Sequence, residues 1–259
     1  MSKIIALVSR KGGIGKSTTI SAMAAGFKAK GYSVLVVDMD GQASISHIMA
    51  ADISKPNILD VLTGAADIHD AVQHTATGDI ITANSALDFA DMRLLDNGRE
   101  FLLKNSLEKT RQEYNLILLD TLPFFGVLTL NALTAATGVI LPAHADILSL
   151  NALKVSYDLI QSARNNVNPD LAIYGVLLTR FKPRANLSNA LSEMFKNAAQ
   201  AMNTRLFNAK IRETVTVQAA QARQKDIFTY SKNNKAAIEY SDFIDELELI
   251  LKDGVHNGD

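Results

Sequence analysis

The chain contains no cysteine, which excludes disulfides, thiolate zinc sites and cysteine-held iron–sulfur clusters. No apolar run approaches the roughly 18 to 20 residues needed to span a bilayer. The first such run, Ile4–Val8, is too short for a secretory signal and passes directly into a glycine-rich loop. Proline is scarce, at 5 residues, and no proline-, glycine- or serine-rich linker or internal repeat divides the 259 residues. The expectation is one cytoplasmic domain over residues 1–259, without an N-terminal helix-turn-helix extension. A hydrophobic content of 47% is enough for a core.

Net charge is also nearly absent, at −1, but the balance is uneven along the chain. Between Arg180 and Lys235 stand eleven Lys/Arg and three acids, leaving 15 bases against 24 acids elsewhere. A basic stretch of this kind is the electrostatic footprint of an anionic polymer partner. The bases are not interleaved with a regular aromatic pattern, so no base-stacking platform for single strands is visible.

Short β-rich runs alternate with helical stretches, which predicts repeated βα units and a mostly parallel twisted sheet with helices on both faces. Strands are expected at Ile4–Val8, Ser33–Val37, Asp79–Thr82, Leu116–Leu119, Val139–Pro142 and Ile173–Thr179. Helices are expected at Lys16–Lys30, Phe101–Glu113, Leu128–Ala136, Leu150–Asn165, Leu187–Met202 and Ala236–Leu251, with shorter ones around Ile58–Thr63 and Ala86–Asn97.

The first βα junction carries the chemistry. Ser9-Arg-Lys-Gly-Gly-Ile-Gly-Lys-Ser-Thr18 lies between an apolar strand and a helix, the setting of a phosphate-binding loop. Gly12, Gly13 and Gly15 allow positive φ and close approach to an anion. Their N–H groups and the helix N-terminus form a nest for a β-phosphate. Lys16 can reach the β/γ oxygens and Ser17 can sit on Mg²⁺. The loop residues expected to contact a nucleotide are Gly12, Gly13, Ile14, Gly15, Lys16, Ser17 and Thr18.

Arg10 occupies the first glycine position of the usual spelling, and Lys11 is an additional early lysine. This K-G-G-x-G-K-S resembles the deviant Walker A loop of the ParA/MinD/Soj family of P-loop ATPases. The resemblance implies that Lys11 crosses a nucleotide-sandwich dimer to the other subunit's phosphates. Asp38-Met-Asp40-Gly-Gln42 resembles the family's switch I, with Asp40 orienting the attacking water, Asp38 supporting the metal and Gly41 where proline is usual. Leu116–Leu119 followed by Asp120-Thr-Leu-Pro123 resembles switch II, with Asp120 as the Mg²⁺ acid. Arg180 and Arg212 fall near the expected base of the nucleotide, and Arg184 on a DNA-contacting position. A second expected DNA arginine falls on Val215; Arg223, Lys225, Lys232 and Lys235 are charge-based substitutes.

The resemblance implies catalysis by Lys11, Lys16 and Asp40, ATP and Mg²⁺ as cofactors, and weak, partner-stimulated hydrolysis. It also implies an ATP-dependent homodimer on non-specific DNA, nucleoid association, and a centromere-binding adaptor of the ParB kind. The alternatives are a MinD-like positioning ATPase acting on a membrane or protein complex, and an enzyme that phosphorylates a small molecule. The helix after Lys235 is acidic, whereas a membrane-surface helix needs bases on its polar face. We expect that helix to dock on the domain through Tyr240, Ile244, Leu247 and Leu251.

Overall fold

A computed structural model describes residues 2–182 and 186–253, with side chains of 186–189 excepted. Its strands are β1 Lys3–Leu7, β2 Val34–Met39, β3 Val72–Thr75, β4 Gly78–Ile81, β5 Leu116–Thr121, β6 Gly138–His144, β7 Ala172–Phe181 and β8 Leu206–Arg212. They form one sheet in the order β3-β4-β2-β5-β1-β6-β7-β8. Every pairing is parallel except that of β3 with β4 at one edge. The helices are α1 Lys16–Ala29, α2 Ser44–Ile48, α3 Ile58–Leu62, α4 Ile68–Ala71, α5 Ala90–Arg93, α6 Leu102–Glu108, α7 Val127–Ala135, α8 Ile147–Asn166, α9 Asn186–Ala201, α10 Val215–Ala222, α11 Ile227–Ser231 and α12 Lys235–Asp253.

Both faces of the sheet are covered, which explains why its central strands are apolar without alternation. Ile4, Ala6 and Val8 pack on the side of α6, α7 and α8, through Leu103, Ala132 and Leu153. Ile5 and Leu7 point the other way, to Met23 and Phe27 of α1 and Phe243 and Ile244 of α12. The acidic C-terminal helix is thus a core element: Tyr240, Ile244 and Leu247 are buried, and Leu251 packs at their margin. Among the described residues no helix is long and apolar enough to cross a membrane.

Two strands lack the apolar pattern that marks the others. β3, Val-Gln-His-Thr, is a short polar edge strand. β8, Leu-Phe-Asn-Ala-Lys-Ile-Arg, has polar residues at its centre and closes the opposite edge. The expected helix Phe101–Glu113 ends early, at Glu108. The chain then turns so that Tyr114 can donate its hydroxyl to Asp79 at 2.8 Å. The expected Ala86–Asn97 helix is a 3₁₀ turn over Ser85–Phe89 followed by the single turn of α5.

Candidate nucleotide site

The loop between β1 and α1 is built on two left-handed residues, Gly13 at φ 70° and Gly15 at φ 85°, a region closed to most side chains. Gly12 differs from expectation: its φ is not positive, and a Cβ there would merely touch Pro123 at 3.8 Å. Gly15 stands at the N-cap of α1 without a capping side chain, leaving the first-turn N–H groups free for an anion. The buried Thr179 hydroxyl on β7 donates to the Ile14 carbonyl at 2.7 Å and pins the loop to the sheet. Gly12, Gly13, Ile14, Gly15, Lys16, Ser17 and Thr18 line a cavity of about 380 Å³, with Asp40, Arg180 and Arg212 also in its walls.

Below the loop lie the strand-end acids. Asp38 of β2 and Asp120 of β5 are register partners, so parallel pairing sets two carboxylates side by side. Asp38 is committed locally. One oxygen accepts from the Asp40 N–H at 3.1 Å, the other from the Ser46 hydroxyl at 2.7 Å and the Ser46 N–H at 3.1 Å. It shapes the turn that carries Asp40, whose own Oδ1 accepts from the Gln42 N–H at 3.0 Å. Asp120 is the opposite case: 1% exposed, with both oxygens lacking a hydrogen-bond partner. Burial, then the Asp38 charge, pushes its carboxyl well above the usual range, while the nearby Ser17 hydroxyl and Lys16 ammonium pull it down. Asp38 is raised too, chiefly by burial, against its Ser46 and Asp40 hydrogen bonds.

Unpartnered buried carboxylate oxygens beside a hydroxyl are what a hard cation needs. Among the described residues no three His, Asp or Glu side chains enclose an ion by themselves. That fits Mg²⁺, which takes one or two carboxylates and completes its shell with water and phosphate. Lys16 is 7% exposed; burial lowers its pKa, opposed by the charges of Asp120 and Asp40.

Lys11 does not line the cavity. Its ammonium donates to Asp146 Oδ2 at 2.6 Å and to the Ser149 hydroxyl at 3.1 Å. Asp146 is the N-cap of α8, accepting from the Ser149 N–H at 2.7 Å. Burial would raise the Asp146 carboxyl, but its bonds to Lys11 and to the Ser149 N–H hold it below the usual range. His144, in the same corner, is pushed down by burial and then by the Lys11 and Arg180 charges. Next to Asp146, Ile147 and Leu148 are 54% and 71% exposed, and Phe124, after the cavity-lining Pro123, is 61% exposed.

At the other end of the cavity Arg180 donates to the Gly13 carbonyl at 3.3 Å and pairs with Glu213. Arg212 is held by Glu239, with Nε at 2.7 Å from Oε1. Gln221 of α10 donates to the Thr18 hydroxyl at 2.7 Å. Asp146, Glu213, Gln221 and Glu239 therefore join the site without belonging to any motif, and Thr179 joins it from β7. Of these Asp146 and Glu213 are acids just past the ends of parallel strands, β6 and β8.

Of the residues assigned to DNA, Arg184 lies outside the described residues. Arg223, Lys225, Lys232 and Lys235 are exposed around α10, α11 and the start of α12. Arg223 lies over the Tyr230 ring, 5.4 Å from its centroid. Val215, at the expected position of a second arginine, is 79% exposed as the first residue of α10.

Known proteins share this architecture. The AAA-domain family AAA_31 matches residues 2–173. The sporulation initiation inhibitor protein Soj of Bacillus subtilis is 32% identical over 253 residues, covering 95% of this chain and 98% of Soj. A cobyrinic acid a,c-diamide synthase from Mycobacterium smegmatis, solved with an ATP analogue and magnesium, superposes with a TM-score of 0.85 at 28% identity over 98% of both chains. A putative plasmid partition protein from Borrelia burgdorferi bound to AMPPNP gives 0.81 at 28% identity, over 98% of this chain and 100% of that one. With the phosphate loop and both strand-end acids in place, the chain belongs to the ParA/Soj-type family of partitioning P-loop ATPases.

Proposed function

We propose that this protein is an ATP-driven DNA-partitioning switch. It uses ATP and Mg²⁺, closes into a dimer, binds DNA without sequence preference in that state, and releases it after hydrolysis stimulated by a centromere-binding adaptor. The observation that carries the reading is the division of the two loop lysines. Lys16 is buried beneath the loop near Asp120 and Asp40, while Lys11 sits at the rim in an ion pair that can be exchanged.

In this reading the loop N–H groups and Lys16 hold the β- and γ-phosphates. Asp120 and Ser17 would hold the Mg²⁺, which when bound would neutralise charge on the phosphates. Asp40, tethered through Asp38, orients a water for in-line attack. Lys11 leaves Asp146 and reaches the γ-phosphate bound to the other subunit, adding a cation where charge develops. The exposed Phe124, Ile147 and Leu148 beside the loop mouth become covered as the two faces close. Closure also brings two sets of Arg223, Lys225, Lys232 and Lys235 to one duplex, so phosphate contacts double and affinity rises steeply. The buried apolar face of α12 is committed to the core, which disfavours a membrane anchor there.

The test is a mobility shift on unrelated duplex DNA. Binding is expected only with ATP and Mg²⁺, and not in Lys16→Ala; equal binding without nucleotide would remove the switch. Nucleotide products separate the metabolic reading: ADP and inorganic phosphate from ATP alone support the switch. Turnover that requires a small-molecule acceptor would oppose it.

A further inference from the structure

The 3₁₀ turn Ser85–Phe89 and α5 lie outside the cavity, yet two of their carboxylates reach the turn after Asp40 and the α7 end of the loop that follows Asp120. Asp91 Oδ1 accepts from the Val127 N–H at 2.9 Å, capping α7 across a separation of 36 residues. Its other oxygen lies 2.5 Å from where a Cβ on Gly126 would stand. Three residues earlier, Asp88 lies against Gly41, the residue after Asp40. A Cβ on Gly41 would stand 3.1 Å from the Asp88 Cγ and would overlap Oδ1. Both glycines thus lie against the carboxylate of an acid from one short segment, which would have to shift to admit a side chain at either. Leu87 and Ala90 of that segment and Leu94 just after it, at 3%, 2% and 4% exposure, pack it against the core as one piece.

We propose that Ser85–Arg93 couples the two switch loops, with Asp91 as the positioning residue for the Asp120 loop and Asp88 for the Asp40 loop. The purpose assigned to this coupling rests on the ATP-switch reading; the coupling itself rests on the contacts alone. Movement of the Asp120 loop draws on the α7 N-terminus, hence on Asp91. Through the buried anchor it carries Asp88 toward or away from Gly41. The water-positioning acid and the metal acid then change state together.

Hydrogen exchange on the full chain without nucleotide tests this independently of any ATPase activity, so failure of the functional reading leaves the readout intact. Asp91→Ala removes a helix cap, which raises exchange about fivefold at residues 124–130. The coupling predicts a matching rise at residues 40–44. Asp91→Asn keeps an acceptor oxygen and should return both regions to the wild-type rate. In the reverse direction, Gly41→Ala should raise exchange at residues 124–130, and adding Asp88→Ala should suppress that rise. Should Asp91→Ala fail to fold, the Gly41 and Asp88 variants carry the test. A rise confined to the mutated side, in either direction, would overturn the coupling and reduce Asp91 to a local cap.

Discussion

Replacing Asp120 by asparagine should make the metal-free protein more stable, although the residue lies at the heart of the site. The wild-type carboxylate is buried with both oxygens unpartnered. Burial and the adjacent Asp38 raise its pKa above the unfolded value. A carboxyl raised in this way favours folding at low pH, and that contribution is lost as pH rises through the folded pKa. A tenfold change in an acid's ionisation equilibrium is worth about 1.4 kcal/mol, and full burial changes it by several powers of ten, so ionisation costs on the order of a few kcal/mol. The amide's own unpaired groups return part of this, about 1 kcal/mol or more. A net gain of about 2 kcal/mol corresponds to about 4 to 8 °C in a chain of this size. Scanning fluorimetry from pH 5 to 9 should show Asp120→Asn melting higher at pH 8 without magnesium or nucleotide, the gap closing toward pH 5. Adding Mg²⁺ with an ATP analogue should raise the wild-type Tm well above its metal-free value and the variant's far less. If Asp120→Asn melts below wild type at pH 8 without metal, the carboxylate supports native contacts and is not held ready for a cation.

Asp146→Asn keeps an acceptor for the Ser149 N–H but removes the charge that holds Lys11. The pair is partly exposed, so stability should change by less than about 1 kcal/mol. Sedimentation velocity should find ATP-dependent dimers at lower protein concentration, and an unchanged dimerisation curve would show that Asp146 does not compete for Lys11. Thr179→Val deprives the Ile14 carbonyl of its buried donor. That should cost about 1 to 3 kcal/mol and weaken nucleotide binding in a fluorescent-ATP titration; unaltered affinity would show that the loop needs no pin from β7.

The phosphate loop and the strand-end acids were legible because their meaning is local. Glycines, Lys16 and Ser17 keep a fixed spacing, and Asp38 and Asp120 each close an apolar run. Family resemblance located Lys11 and gave it a destination. The ion pair in which it actually rests spans 135 residues, and only the fold could bring that pair together. Asp146 obeys the same strand-end rule as Asp120, but no spelled motif surrounds it. Thr179 was unreadable for a different reason: a threonine within a buried strand looks like packing until its hydroxyl is seen on the Ile14 carbonyl. β3 and β8 hid because edge strands need little apolar character on the side left open. The proposed DNA face was legible only as charge, the exposed bases around α10–α12.

Mixing two inactive variants tests most directly whether Lys11 serves the other subunit. Lys11→Ala retains Asp40 but donates no lysine, whereas Asp40→Ala donates Lys11 but cannot position water. Each alone should hydrolyse ATP poorly. In a mixed dimer the Lys11→Ala subunit keeps its own Asp40 and receives Lys11 from its neighbour, so one of two sites is complete. Random pairing of equal amounts should restore about a quarter of wild-type turnover, if the lysine stabilises the transferring phosphate in trans. A mixture no more active than its separate components would place Lys11 in its own subunit's site and contradict the dimer mechanism.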